Sequence, residues 1–103
     1  MNKKRLLPHD RKDQILKAAI KVAARPGGWA RLTREAVAKE AECAEGLPSK
    51  YFGTMVNFKR AIMRAAIQDW NLSVIAQGLA AGDKVALKAE DALKRKALDT
   101  LAG

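Results

Sequence analysis

The stretch Glu42–Thr54, "ECAEGLPSKYFGT", decides the reading of this chain. It sets Gly46 and Pro48 two residues apart and then runs into Lys50, Tyr51 and Phe52. Pro lacks an amide donor and clashes with the preceding turn, so it sits without cost only in the first turn of a helix. A helix carrying Pro48 therefore starts no earlier than about Gly46 and runs through Tyr51 or Phe52. Residues 42–45 are left as a tight connection from whatever precedes.

Working back, Thr33 is placed to cap a short helix reaching about Ala41, with Glu35 in its electropositive first turn. Val37, Ala38 and Ala41 give that helix one face of small apolar side chains, which allows close approach of a neighbour. Before it stands Arg-Pro-Gly-Gly at 25–28, a strong helix stop. Ahead of that stop, Ile15, Ala18, Ala19, Val22 and Ala23 follow the i, i+3, i+4, i+7, i+8 spacing of one buried helical face, predicting a helix over Asp10–Ala24. One longer helix, a short helix, a four-residue turn and a second short helix make a tri-helical helix-turn-helix. No strand pattern competes: alternating apolar and polar runs are brief and β-branched residues sparse.

Working forward, a helix opening at Thr54 or Asn57 is expected to continue to about Gly78 or Gly82. It shows two apolar stripes. Met55, Phe58, Ile62, Ala65, Leu72, Ala76 and Leu79 form one, suited to cover the first three helices; Met63, Ile67, Trp70 and Val74 form the other. The second has only the last segment to meet, where Val85, Ala89, Leu93, Ala97 and Leu101 suggest a modest amphipathic helix. A surface this apolar points to an interface, so a two-fold homodimer is expected through Met63, Ile67, Trp70, Val74, Leu93 and Leu101. An intramolecular helical hairpin is the alternative. The division expected is a basic arm over 1–9, a helix-turn-helix unit over 10–66 and a helical extension over 67–103.

Charge sharpens the picture. The 103 residues carry a formal charge of +9, and residues 1–64 hold 15 Lys and Arg against 6 Asp and Glu, whereas residues 65–103 hold 5 of each. That step is expected of a polyanion-binding module with a neutral appendage. A chain this short buries about two-thirds of its unfolded surface, so its core is thin and help from a second subunit fits. One Cys, at 43, forms no internal disulfide, no apolar run approaches the roughly 20 residues needed to span a membrane, and "MNKKRLLPHD" lacks a signal peptide's apolar region. A soluble cytoplasmic protein is expected.

From Arg11 to about Ala66 the residues resemble the DNA-binding domain of TetR-type transcriptional regulators: "ILKAA" at 15–19, Gly28, Thr33 with Val37-Ala38, Gly46, the "YF" pair at 51–52 and Phe58. The sequence departs from the family at Glu42, where Gly is usual, at Pro48-Ser49 in place of Leu-Tyr, and at Met55 in place of a Lys. The resemblance implies binding of double-stranded DNA, repression as the usual mode, and action on the DNA of a bacterial or phage-infected cell. The family's further inducer-binding domain has little counterpart in residues 67–103, so control by protein level or a partner protein is expected instead of a ligand pocket.

The base edges of a major groove are reached from the outer side of the second short helix near its start, which nominates Glu45, Leu47, Ser49 and Lys50. Phosphate contacts are expected from Thr33 and Arg34, Tyr51, Lys59 and Arg60, with Lys3, Lys4 and Arg5 as a loose arm. Phe52 is assigned to the core. Enzyme chemistry finds no support: His9 and Cys43 stand alone, there is no Gly-rich phosphate loop, Glu90-Asp91 suits a helix start, and no cofactor or metal is implied. Two other readings remain open, a protein-interaction antagonist and a sequence-independent nucleoid-type DNA coater.

Overall fold

The structure, a computed structural model, describes residues 7–102, and all regular structure in them is helical. The elements are α1 (Pro8–Ala24), α2 (Arg34–Ala41), α3 (Leu47–Phe52), α4 (Met55–Gln68), α5 (Leu72–Ala80), α6 (Lys84–Leu87) and α7 (Asp91–Ala102).

Local chemistry explains where α1, α2 and α4 begin and where α2 ends. Pro8 occupies the first position of α1, where a missing amide hydrogen costs nothing. The Thr33 hydroxyl accepts from the Ala36 amide at 3.1 Å to open α2, and the Thr54 hydroxyl accepts from Asn57 at 3.2 Å to open α4. At the end of α2, Glu42 takes up the left-handed conformation (φ 55°, ψ 45°). Around it, the Glu42 amide donates to Lys39 and the Cys43 amide to Ala38, closing a Schellman motif. Half-buried Cys43 packs against the core. A left-handed non-glycine residue is strained by about 1 kcal/mol, so Glu42→Gly raises the unfolding free energy by up to about 1 kcal/mol, read from the urea midpoint.

The expected long fourth helix is two helices, and the stop is Trp70, not a glycine. Trp70 is left-handed (φ 54°) and repeats the motif seen at Glu42: its amide donates to Ile67 and that of Asn71 to Ala66. The Asn71 side chain then accepts from the Val74 amide at 3.1 Å and caps α5. Gly82 (φ 75°) ends α5 in the same way, with Asp83 capping α6. The single amphipathic helix expected near the C-terminus is likewise divided into α6 and α7.

These breaks fold the second half of the chain back on the first. α1 packs against α2, α4 and α5, α3 sits between α2 and α4, and α5 is covered by α7. One buried cluster runs from Ile15 through Phe58, Ile62 and Met63 to Val74, Ile75, Leu93 and Ala97, so residues beyond 66 complete the core of the residues before it. The apolar stripes that the sequence offered to a second subunit are in large part satisfied inside one chain, as in the hairpin alternative.

The seam between α1 and α5 is polar as well as apolar. Gln77 of α5 donates from Nε2 to the carbonyls of Ala23 and Arg25 at 2.8 and 3.0 Å, and its Oε1 accepts from the Trp29 amide at 2.9 Å. Ser73 Oγ donates to the Ala24 carbonyl at 2.6 Å. Gln77 therefore satisfies carbonyls freed at the end of α1 together with the amide of buried Trp29. Gln77→Leu strands these groups and is expected to lower stability by about 1–3 kcal/mol, measured by urea unfolding.

Candidate nucleic-acid interface

The turn after α2 and the first turn of α3 present Glu45, Ser49 and Lys50 to solvent, while Pro48 faces inward and is buried. Position 48 thus anchors the inner side of α3 as its neighbours point outward. Leu47, nominated for base contact, is half-buried against the core. Its side chain supports α3 more than it projects from it.

Between the start of α2 and α3 lies a groove of about 510 Å³ lined by Thr33, Arg34, Glu35, Glu45, Ser49 and Met55, among others. Four of the nominated residues, Thr33, Arg34, Glu45 and Ser49, therefore meet in one place. Arg34 Nη1 donates to the Gly53 carbonyl at 3.2 Å, tying the start of α2 to the end of α3. Its guanidinium keeps further donors for an anion. The groove is electrically mixed, since the Glu35 and Glu45 carboxylates stand beside the single Arg34 charge.

Aromatic packing fixes the far end of α3. Phe52 stacks on Phe58 of α4, with ring centroids 5.0 Å apart and planes at 24°. Tyr51 is half-buried against the core and has the Lys50 ammonium 5.9 Å from its ring. Both rings of the pair at 51–52 therefore take part in packing, and Tyr51 keeps part of its surface.

Lys59 and Arg60, expected as paired phosphate contacts, part company. The Lys59 ammonium lies 4.6 Å from the centroid of the buried Trp29 ring, a cation–π contact. Burial lowers its pKa below the ordinary lysine value, and the nearby Asp83 carboxylate opposes that shift. Lys59 is thus half-buried, with its ammonium on the Trp29 ring. Arg60 is exposed and joins a different groove, between α4 and α6. Lys3, Lys4 and Arg5 lie outside the described residues.

The expected dimer contacts divide in the same way. Met63 and Val74 are wholly buried and Leu93 is 3% exposed, so these three are corrected to core residues of the single chain. The cause is the break at Trp70, which turns α5 back and lets α7 cover it. Ile67 is half-buried, while Trp70 and Leu101 remain 51% and 56% exposed, with the Lys96 ammonium 5.2 Å from the Trp70 ring.

Trp29 and Gln77 are the structural residues that periodicity alone does not single out. A Trp directly after Gly27-Gly28 and a lone Gln on an otherwise apolar stretch are the signals that mark them. Among the described residues no group of three His, Cys, Asp or Glu side chains is placed to hold a metal, and no helix is long and apolar enough to cross a membrane.

No protein-family model, curated protein or solved structure matches the chain.

Proposed function

We propose that the chain is a DNA-binding transcriptional regulator in which α1–α3 act as a tri-helical helix-turn-helix and α3 enters a major groove. The observation that carries this reading is the outer side of the turn and α3, where Glu45, Ser49 and Lys50 are exposed around a buried Pro48, reached through the left-handed turn at Glu42. A short second helix held by its inner side, with polar side chains at its start, is the geometry that base reading requires. The excess of basic residues before residue 65 supplies the attraction to a polyanion. In this reading Lys50 pairs with guanine, and Thr33 and Arg34 at the α2 N-terminus hold a phosphate. The resemblance to TetR-type regulators supports repression as the mode.

The proposal includes a homodimer, because two copies of α3 about 34 Å apart read a palindromic operator on one face of the duplex. Trp70 and Leu101 are the contact candidates that stay exposed, and Ile67 is half-buried against the core. Sedimentation at micromolar concentration giving the mass of one chain would count against the dimer.

A second reading, an interaction module that binds protein through the same fold, is favoured by the two carboxylates beside Arg34 in the α2–α3 groove, which oppose a phosphate backbone. In vitro selection of bound duplexes separates them. A sequence-specific regulator holds a selected palindrome at least about 10³-fold more tightly than random DNA, a nucleoid coater shows no such ratio, and an interaction module leaves both free. Lys50→Ala is expected to cost about 1–3 kcal/mol of discrimination at one base position, measured by repeating the selection with the variant. Uniform weakening across sequences would move Lys50 from base to phosphate.

A further inference from the structure

The groove between α4 and α6 combines charge and apolar surface, and of its lining residues the regulator reading uses Arg60, for phosphate, and Ile67, for the dimer. It encloses about 450 Å³, and α4 contributes Arg60, Arg64 and Ile67 to its lining while the α6 segment contributes Lys84, Val85 and Lys88. The four cationic side chains are exposed and the two aliphatic ones half-buried, so the apolar surface lies beneath the charges. No acidic side chain lines the groove, and among the described residues none of the four cations joins an ion pair. The adjacent Asp83 carboxylate accepts from the Ala86 amide at 2.9 Å, which turns it toward the start of α6.

Spacing adds a direction. Arg60 and Arg64 are four residues apart on α4, and Lys84 and Lys88 are four apart along α6 and its C-cap, so each side carries two cations one helical turn apart. We propose that this groove docks an acidic amphipathic helix of a partner protein. An aliphatic ridge on that helix meets Ile67 and Val85, and Asp or Glu residues at one-turn spacing on either side of the ridge face the two pairs of cations. Helix-in-groove docking supplies apolar burial for affinity, while the flanking charges set register and partner choice.

Other occupants fit less well. A duplex would use the cations but leave Ile67 and Val85 against phosphate and sugar, and the lining has no aromatic ring on which a single-stranded base could stack. A small ligand normally buries roughly 70–90% of its surface, which a groove open along one side does not provide. The groove shares Arg60 with the nominated DNA contacts and Ile67 with the dimer candidates, and the double variant tested below alters neither.

The test uses the full chain and a fluorescein-labelled synthetic helical peptide with a Leu ridge flanked by Glu one turn apart, followed by fluorescence anisotropy. Saturable binding is expected, weakened at least about tenfold in the double variant Arg64→Glu with Lys88→Glu, and likewise when the peptide's Leu residues are replaced by Ser. The milder pair Arg64→Gln with Lys88→Gln should give a smaller loss in the same direction. Far-UV circular dichroism and melting temperature matching the unaltered chain show that the variants are folded; none of these substitutions touches a base-reading candidate. The proposal is overturned if the unaltered chain shows no saturable binding, if the double variant binds equally well, or if the Ser peptide binds as tightly as the Leu peptide. It is also overturned if the double substitution instead abolishes binding to random duplex, or self-association, while sparing the peptide.

Discussion

Phe58→Ala is expected to lower the unfolding free energy by about 3–5 kcal/mol. The Phe58 ring is wholly buried, stacks on Phe52, and lies in the same cluster as Ile15, Ile62 and Met63. Removing it forfeits the transfer free energy of the ring and leaves a cavity between helices that are held by their other contacts and so relax only in part. A small domain commonly has about 5–15 kcal/mol in total, so the variant loses a large share of its stability. The urea midpoint followed by far-UV circular dichroism reads the effect directly. A loss below about 1 kcal/mol would be that of a surface position and would remove Phe58 from the core. Because Phe52 closes α3 against Phe58, the substitution also frees the end of the helix proposed to read DNA. Phe58→Leu retains most of the volume and is expected to cost under about 2 kcal/mol, which separates loss of orientation from loss of the fold.

The first half of the molecule was legible because it is punctuated by residues whose backbone chemistry admits few conformations. Pro26-Gly27-Gly28, Thr33, Pro48 and Thr54 fix ends and caps, and the helices between them fall within two residues of their expected bounds. At Glu42, where the TetR-type pattern usually has Gly, the residue itself takes the left-handed conformation. The second half is governed by Trp70, which adopts a glycine-like conformation with no local signature except the capping Asn71 after it. Without that break, Met63, Ile67, Trp70 and Val74 read as a continuous unpartnered stripe. With it, Met63 and Val74 enter the chain's own core and Trp70 stays outside. Helical period reports that a face is buried but not what buries it, and this is why intramolecular packing and a dimer interface look alike in sequence. The candidate sites follow the same rule. Residues close together in the chain, Glu45, Ser49 and Lys50, were found together, whereas the meeting of Arg60 and Arg64 with Lys84 and Lys88 depends on the fold-back of α6.

Gly28→Ala should be among the most damaging single changes, at about 2–5 kcal/mol. A Cβ at this position would collide with the Val22 carbonyl oxygen and stand 2.9 Å from those of Ala23 and Arg25. All three are backbone atoms at the end of α1, so no side-chain rotation relieves the clash. The loop must move away from α1, and it carries Trp29 with it. That ring is 3% exposed, and its amide donates to Gln77 at 2.9 Å. Displacement therefore loosens the packing of Trp29 and the polar seam between α1 and α5 together. Gly46→Ala supplies the contrast. An added Cβ there meets nothing within 4 Å, and the backbone is right-handed at φ −80° and ψ −9°. That variant should stay within about 0.5 kcal/mol of the unaltered chain, with a small gain favoured because Ala restricts the unfolded state. Urea unfolding of the two variants side by side decides the matter. Equal midpoints would mean that the approach of residue 28 to the end of α1 does not hold in solution. A large loss at 28 alone, with Trp fluorescence shifted to the red, would tie that single missing Cβ to the seating of Trp29.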